Sequence, residues 1–167
     1  MSFTTGLRLS SGGQIVQLIP PFNATGSAST DVYITTKNAP AVAFIIQTGA
    51  WVTSATAAVT LLQSAGVNGA SNKACEMDWV YTNAGNTSLS IINATTVVSN
   101  TFNLTTANAT YVVELDCATM DINNGYDCVA IHVATPGSNS CVYGVCAVLV
   151  GGGLRYMSNT PPDAFSN

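Results

Sequence analysis

The sequence has few charged residues and a single histidine. Of its 167 residues, 4 are Lys or Arg and 8 are Asp or Glu, which gives a net charge of −4. The scattered cations Arg8, Lys37, Lys73 and Arg155 do not make the basic stripe that displaces counterions from nucleic acid. No apolar run approaches the roughly 20 residues that span a bilayer. We therefore expect no direct binding to nucleic acid and no membrane insertion.

The motifs of common enzyme classes are also missing. The chain has no G-x-S-x-G, H-E-x-x-H, Walker or G-x-G-x-x-G motif. His132 lies in an apolar run typical of a strand, where a buried or interface histidine is expected. Glu76 with Asp78, and Glu114 with Asp116, have the spacing of one strand face, but no aromatic cleft is indicated beside either pair. The sequence predicts no enzyme, no catalytic residue and no cofactor.

Five cysteines are present, at 75, 117, 128, 141 and 146, and none belongs to a C-x-x-C unit, so no zinc site is predicted. Most are expected to be buried thiols. Cys117 and Cys128 bracket a ten-residue loop, and a disulfide across its neck is the alternative. Within that loop Asp121, Asn123 and Asp127 could serve a calcium ion, but the distal Glu of such a loop is missing, and Asn124-Gly125 favours a plain turn.

Neutral polar residues and alternating apolar residues dominate what is present. Thr, Ser and Asn together number 51, enough to cover a surface that lacks charge. Period-two alternation predicts an all-β, antiparallel β-sandwich, either jelly-roll or immunoglobulin-like. The predicted strands cover residues 14–19, 32–36, 41–48, 57–63, 73–81, 96–102, 109–116, 128–134 and 141–150. Turns are predicted at Asn68-Gly69, Asn83-Ala84-Gly85, Asn124-Gly125 and Pro136-Gly137.

Two of these segments carry specific expectations. In strand 73–81 alternation places Cys75, Met77, Trp79 and Tyr81 towards the core. Residues 129–150 are expected to form one hairpin in which position 133 pairs with 143. Its outer face, around His132, Gly144 and Cys146, is small and uncharged, and residues 41–46 are apolar on both faces. This surplus of apolar surface predicts self-association or an assembly contact.

The chain ends differ from the middle. Residues 1–13 and 157–167 lack a strand pattern and carry isolated apolar residues such as Phe3 and Phe165. We therefore divide the chain into an N-terminal arm (1–13), a sandwich domain (14–156) and a C-terminal arm (157–167). Frayed ends are one interpretation, and arms that order on a partner are the other. No secretory signal is recognised in residues 1–20.

Several stretches resemble small virion proteins of tailed bacteriophages. They are residues 44–50, 57–64, 102–116 and 126–137, within a similarity that runs from Val42 to Tyr156. The family is that of capsid decoration, or cement, proteins. The resemblance implies a β-rich trimer on the outer surface of the head, assembled in the host cytoplasm. It further implies that the protein stabilises the head by bridging neighbouring major capsid protein subunits.

Two other functions remain open. One is a tail, head-fibre or receptor-binding module of a virion. The other is a secreted β-sandwich that binds carbohydrate, for which Trp51 or Trp79 would supply the aromatic platform. Strand parity places Trp79 in the core and Trp51 in a connection, which weighs against the carbohydrate alternative.

Overall fold

The computed structural model describes residues 13–37, 39–77, 79–83, 93–95 and 100–150. These residues form strands and two short 3-10 turns, which confirms the all-β prediction. None of their helical segments is long and apolar enough to cross a bilayer. The strands are β1 (Gly13–Asn23), β2 (Ile34–Thr35), β3 (Ala41–Trp51), β4 (Ala57–Ser64), β5 (Lys73–Ala74), β6 (Trp79–Thr82), β7 (Asn93–Thr95), β8 (Thr101–Leu104), β9 (Thr110–Asp116), β10 (Cys128–Val133) and β11 (Cys141–Val150).

The strands form two antiparallel sheets. The front sheet has the order β1-β11-β3-β9-β6-β7. The back sheet has the order β2-β10-β4-β5, and β8 also pairs with β4. Four of the pairs are nested: β1 with β11, β2 with β10, β3 with β9, and β4 with β8. Moving inwards from both ends of the chain, these pairs lie alternately in the front sheet and in the back sheet. A long hairpin folded over in this way into two sheets is a jelly roll.

The core lies between the two sheets. Alternation along β3 and β11 directs Phe44, Ile46 and Tyr143 inwards from the front sheet, and all three are fully buried. Val59, Leu61 and Ile131 point inwards from the back sheet and belong to the same apolar cluster. Along these strands every second side chain therefore faces the core. The side chains between them face outwards, on one of the two outer faces of the sandwich.

The predicted hairpin over residues 129–150 is wrong. Strand β10 pairs with β2 and β4 in the back sheet, whereas β11 pairs with β1 and β3 in the front sheet. Alternation places Val129, Ile131 and Val145 on one face of that hairpin, opposite the face around His132, and all three are buried. Alternation therefore showed correctly which side chains of β10 and β11 point towards the core. The two strands face each other across the core from different sheets and do not pair edge to edge.

The predicted strand 73–81 is two strands in different sheets. β5 pairs with β4 at the back, and β6 pairs with β9 at the front. Cys75 and Met77 are buried as expected. After the chain crosses between sheets the parity is reversed, so Val80 is buried and Trp79 is 44% exposed. The prediction that Trp79 and Tyr81 face the core is therefore wrong.

The other predicted boundaries are close. β4 and β10 differ from prediction by one residue, and β11 by none, whereas β1 and β3 extend further. Gly125 and Gly137 have φ values of 85° and 72°, as the predicted turns require. Residues 1–12 and 151–167, which include almost all of both predicted arms, lie outside the described residues, as do Asp78 and most of the predicted strand 96–102.

Candidate interaction surface

The outer face of the front sheet, termed here the front face, carries two rows of cross-strand neighbours. Neighbouring strands in a sheet lie about 4.8 Å apart, so side chains in one row touch. The residues of the first row are Ile15, Val148, Ala43, Glu114 and Trp79, and those of the second are Gln17, Cys146, Ile45, Val112 and Tyr81. Each row crosses five strands, and Glu114 is the single charged residue in the two rows.

The front face is mostly apolar and partly solvent-exposed. Ile15, Trp79 and Val150 are 54%, 44% and 44% exposed. Ala43 and Ile45 in the centre are half-buried. A contiguous apolar surface of this kind is a candidate interaction site. Since the side chains come from strands that pair within one sheet, the surface is held rigidly.

Two concavities lie at opposite ends of this face. The smaller has a volume of about 180 Å³ and is lined by Ile15, Ile45 and Cys146 among others. Gly144 and Pro21 also line this concavity. Pro21 packs directly over Gly144, and a Cβ at position 144 would lie 3.1 Å from the Pro21 Cγ, so a larger residue would not fit without a shift. The larger, termed here the end groove, has a volume of about 640 Å³.

The end groove combines aromatic, apolar and acidic side chains. Its lining includes Ala41, Ala43, Trp79, Glu114, Asp116 and Val150. The rings of Trp79 and Tyr81 stack with centroids 6.5 Å apart and an interplanar angle of 27°. Desolvation, followed by the charge of Glu114 and a hydrogen bond with it, raises the pKa of the Tyr81 phenol. The structure thus places an aromatic pair beside Glu114, which the sequence did not predict.

Trp51, the other tryptophan named from the sequence, does not form a surface platform. Its side chain is buried, and its indole Nε1 donates a hydrogen bond of 2.9 Å to the Ala55 carbonyl oxygen. Trp51 is the last residue of β3 and pairs with Cys141, so its predicted place in a connection is wrong. A buried indole whose donor is satisfied by backbone offers no face to a ligand. Of the two tryptophans, Trp79 alone therefore presents an exposed ring.

The outer face of the back sheet, the back face, is covered differently. Tyr33 packs over Cys128 and Ala130, and Leu62 packs against the same cluster. Further along β10, the His132 Nδ1 lies 2.8 Å from an Asp31 carboxylate oxygen. The hydroxyls of Thr60 and Thr101 are hydrogen-bonded at 3.2 Å. An aromatic ring therefore covers the apolar residues of β10 on this face, and hydrogen-bonded polar side chains lie beside them.

His132 consequently does not share a surface with Gly144 and Cys146. Because β10 and β11 belong to different sheets, His132 lies on the back face and the other two residues lie on the front face. The single predicted self-association surface is therefore wrong. Gly144 and Cys146 instead share the front face with residues of β1, β3, β9 and β6, which the sequence did not connect with them.

All five cysteines are present as thiols, and no disulfide joins Cys117 to Cys128. Cys117 packs in the main core, whereas Cys128 packs in the small cluster under Tyr33. The Cys128 thiol donates to an Asp127 carboxylate oxygen at 3.3 Å. Burial, helped by Asp127, raises the pKa of Cys128 to about 12, so this thiol stays protonated at neutral pH.

The loop from 121 to 127 is a turn in this structure. Gly125 adopts the left-handed conformation that ends the short 3-10 segment Ile122–Asn124. The Asp121 carboxylate accepts hydrogen bonds from Lys73 and from the Asn124 amide. Lys73 also lies 4.1 Å from the centroid of the Tyr126 ring. A lysine occupies the position beside Asp121, and no cluster of three potential metal ligands occurs in the described part of the chain.

Comparison with protein-family models, curated proteins and solved structures finds no match to this chain.

Proposed function

We propose that this protein is a structural virion component that binds the outer surface of a bacteriophage head and stabilises it by bridging neighbouring major capsid protein subunits. The front face carries the proposal. It presents two nearly uncharged rows of side chains across five strands, on a rigid jelly roll. The sequence resemblance to capsid decoration proteins supplies the identity of the partner.

A rigid apolar face suits an assembly role. Contacts of this kind bind mainly through burial of apolar area, less the cost of bringing the partners together. We propose that copies of the chain associate through the front face, as a trimer, and that each copy also contacts the capsid. When several contacts form on one lattice, the later ones become intramolecular, and weak individual contacts add up to stable attachment.

The rest of the composition is consistent with this role. Only 7% of the residues are charged, and Thr, Ser and Asn supply the polar surface. Such a surface carries little long-range repulsion, so many copies can sit close together on one particle. The proposed location is the outside of the head, after assembly in the host cytoplasm.

A matched pair of full-length variants tests the proposal. Ile45→Asp places a charge in the centre of the front face, and Thr60→Asp places the same charge on the back face. Both positions are half-buried and mid-strand, so circular dichroism and thermal unfolding serve as folding controls. Binding to heads that lack this protein is measured by co-sedimentation and by cryo-electron microscopy.

We expect wild type and Thr60→Asp to occupy repeated sites on the outer lattice. Ile45→Asp is expected to bind at least about tenfold more weakly, which equals about 1.4 kcal/mol. Equal binding by folded Ile45→Asp would overturn the role of the front face. Density on the tail or on a fibre, and none on the head, would assign the chain to host attachment.

A carbohydrate-binding function is the second candidate, and the end groove favours it. Trp79 lines the groove together with Glu114 and Asp116, and its ring stacks on that of Tyr81. Sugar rings pack on exposed aromatic faces, and carboxylates accept hydrogen bonds from sugar hydroxyls. A glycan array with wild type, Trp79→Ala and Ile122→Ala tests it. Ile122 is 50% exposed on a distant loop and is the control. Saccharide binding that Trp79→Ala alone abolishes would favour this function over the capsid role.

A further inference from the structure

Strand β1 is the longest edge strand in the described part of the chain. It has 11 residues and lies at one edge of the front sheet, where no other described strand pairs with its outer side. The other described edge strands are short, since β2 and β5 have two residues each, β7 has three and β8 has four. Short edges give a further strand little backbone to pair with, whereas a long edge is a template for strand addition.

Only the first half of β1 is suited to pairing on its outer side. Residues 13–17 pair with β11 in unbroken register. Beyond them the register shifts twice, and the second shift contains Pro20 and Pro21, which donate no backbone hydrogen bond. Bulges and prolines are features that protect a sheet edge from further pairing. Residues 13–17 have neither, and they are termed here the open edge.

The open edge is uncharged and carries an exposed apolar residue at its centre. The whole of β1, GQIVQLIPPFN, contains no Asp, Glu, Lys or Arg, although charged side chains are a common protection of edge strands. Ile15, the middle residue of the open edge, is 54% exposed, more than any other large apolar side chain in the described residues. An uncharged edge with an apolar centre is complementary to a second copy of itself.

We propose that the open edge is the docking site for the open edge of a second copy of this chain, in antiparallel pairing about a two-fold axis. Full overlap of two five-residue segments places Ile15 opposite Ile15 of the second copy. The backbone N–H and C=O groups that point away from β11 then bond to the second copy. The two isoleucine side chains cover each other. The proposal goes beyond the capsid role, because it concerns the isolated protein.

The pairing also joins the front faces of the two copies. Ile15 begins the row that continues through Val148 and Ala43 across the front sheet. Residues directly opposite each other in an antiparallel pair lie on the same side of the sheet, so the rows of the two copies continue into one another. Two six-stranded front sheets thus become one sheet with a mostly apolar outer face twice as wide.

We expect this pairing to be weak between isolated molecules. Five residues on each copy bury less than the roughly 1,000 Å² that a stable interface needs. Association should therefore depend on concentration, and it should become stronger wherever other contacts hold two copies close together.

Amide hydrogen exchange with residue resolution, read by mass spectrometry, tests the pairing on the full-length protein from about 1 µM to about 1 mM. In an edge strand the amides of alternate residues bond to the neighbouring strand, and the amides between them point outwards. We expect the outward amides of the open edge to exchange at least about threefold more slowly at high concentration, as when about two thirds of the molecules are paired. Packing through a sheet face does not protect alternate amides, so this pattern is specific to edge pairing.

Ile15→Lys and Ile122→Lys are the matched variants. Ile122 is 50% exposed, and it lies in the connection between β9 and β10. Ile15→Lys places two like charges side by side at the axis, so it should weaken association in sedimentation velocity at least about tenfold, and high salt should restore part of the loss. Ile122→Lys should behave as wild type. Circular dichroism checks the folding of both variants.

A third variant separates the open edge from the outer face of the sheet. Ile45→Asp carries its charge on β3, two strands away from β1. Although it should weaken contacts made through the front face, it should leave the concentration-dependent protection of the open edge in place. Failure of the chain to bind phage heads would contradict the capsid role and would leave these measurements unchanged.

Any of four results would overturn the proposal. The outward amides of wild type could exchange rapidly at every concentration, or Ile15→Lys could associate as wild type does. Equal protection of these amides at all concentrations would assign the open edge to a segment of the same chain. Loss of the protection in folded Ile45→Asp would assign the contact between copies to the front face.

Discussion

The two outer faces of this sandwich differ in how their apolar residues are covered. On the back face, Tyr33 covers Cys128 and Ala130, and His132 is joined to Asp31. On the front face, the rows through Ile15 and Ile45 have no such cover within the described residues. Both sheets contribute large apolar residues to the common core. The two sheets therefore differ in what covers their outer faces. A face that the described fold leaves uncovered is the one to examine for partners.

The largest expected effect separates the core side of the front sheet from its outer side. Phe44 is fully buried and Ile45, the next residue, is half-buried on the front face. Phe44→Ala should lower the free energy of unfolding by about 3–5 kcal/mol, through lost burial and a cavity. Ile45→Ala should cost about 1 kcal/mol in the monomer. Urea unfolding at low protein concentration measures both, and equal losses would mean that the front face is buried within a single chain.

The next effect concerns the cover of the back face. Gly69 has a φ of 74°, and a Cβ there would lie 2.8 Å from the Cε2 of Tyr33. Gly69→Ala should cost about 2–3 kcal/mol, from backbone strain and from displacement of the ring. Gly137→Ala is the matched control, since its φ is 72° and the space around it is open. It should cost about 1 kcal/mol, from strain alone. Equal values in thermal or urea unfolding would show that Tyr33 moves aside without cost.

Thiol labelling compares the two faces directly. Cys146 is half-buried on the front face, and Cys128 is buried under Tyr33 with a pKa of about 12. Burial also raises the pKa of Cys146. At pH 8 we expect Cys146 to react with a maleimide at least about tenfold faster than Cys128. Mass spectrometry of peptides assigns the sites.

Labelling of Cys146 should slow at high protein concentration if copies associate through the front face, and a constant rate would contradict that association.

The smallest expected effect lies at the exposed pair of Lys73 and Asp121. Hydrogen bonds from Lys73 and then Asn124 lower the pKa of the Asp121 carboxyl. A carboxyl with a lowered pKa stabilises the fold above the pKa of the unfolded chain, and this stabilisation is lost as pH falls through the folded value. Asp121→Asn should therefore flatten the dependence of the urea midpoint on pH below about 4. Glu76→Gln is the control, and the same flattening in both variants would remove the role of the pair.

Much of the fold could be predicted from the sequence because alternation reports which side of a strand is buried. The core-facing residues Val129 and Ile131 on β10 and Val145 on β11 follow from period two. Alternation does not show which other strand a given strand pairs with. Val129 and Val145 both face the core, and the same pattern arises whether their strands are neighbours or lie in opposite sheets.

The candidate site could be predicted only in part, for a related reason. Cys146, Gly144 and residues 41–46 were recognisable as apolar beyond the needs of one core. Trp79 was not, because the chain leaves the back sheet after Ala74 and enters the front sheet at Trp79, and this crossing reverses the parity. The approach of Trp79 to Glu114 depends on the pairing of β6 with β9, which no local signal in either strand specifies.

The nested pairing also governs when this protein can fold. Strand β3, which contains the apolar run 41–46, has as neighbours β9 and β11, both of which follow it in the chain. Strand β4 can pair early only with the two-residue β5, and its longer pairings are with β8 and β10, which come later in the chain. Sheets made of such distant pairings close in milliseconds to seconds, after long loops have formed. While a ribosome is still extending the chain, β3 has no partner strand, so slow synthesis or a chaperone that shields residues 41–51 should decide the yield of soluble protein.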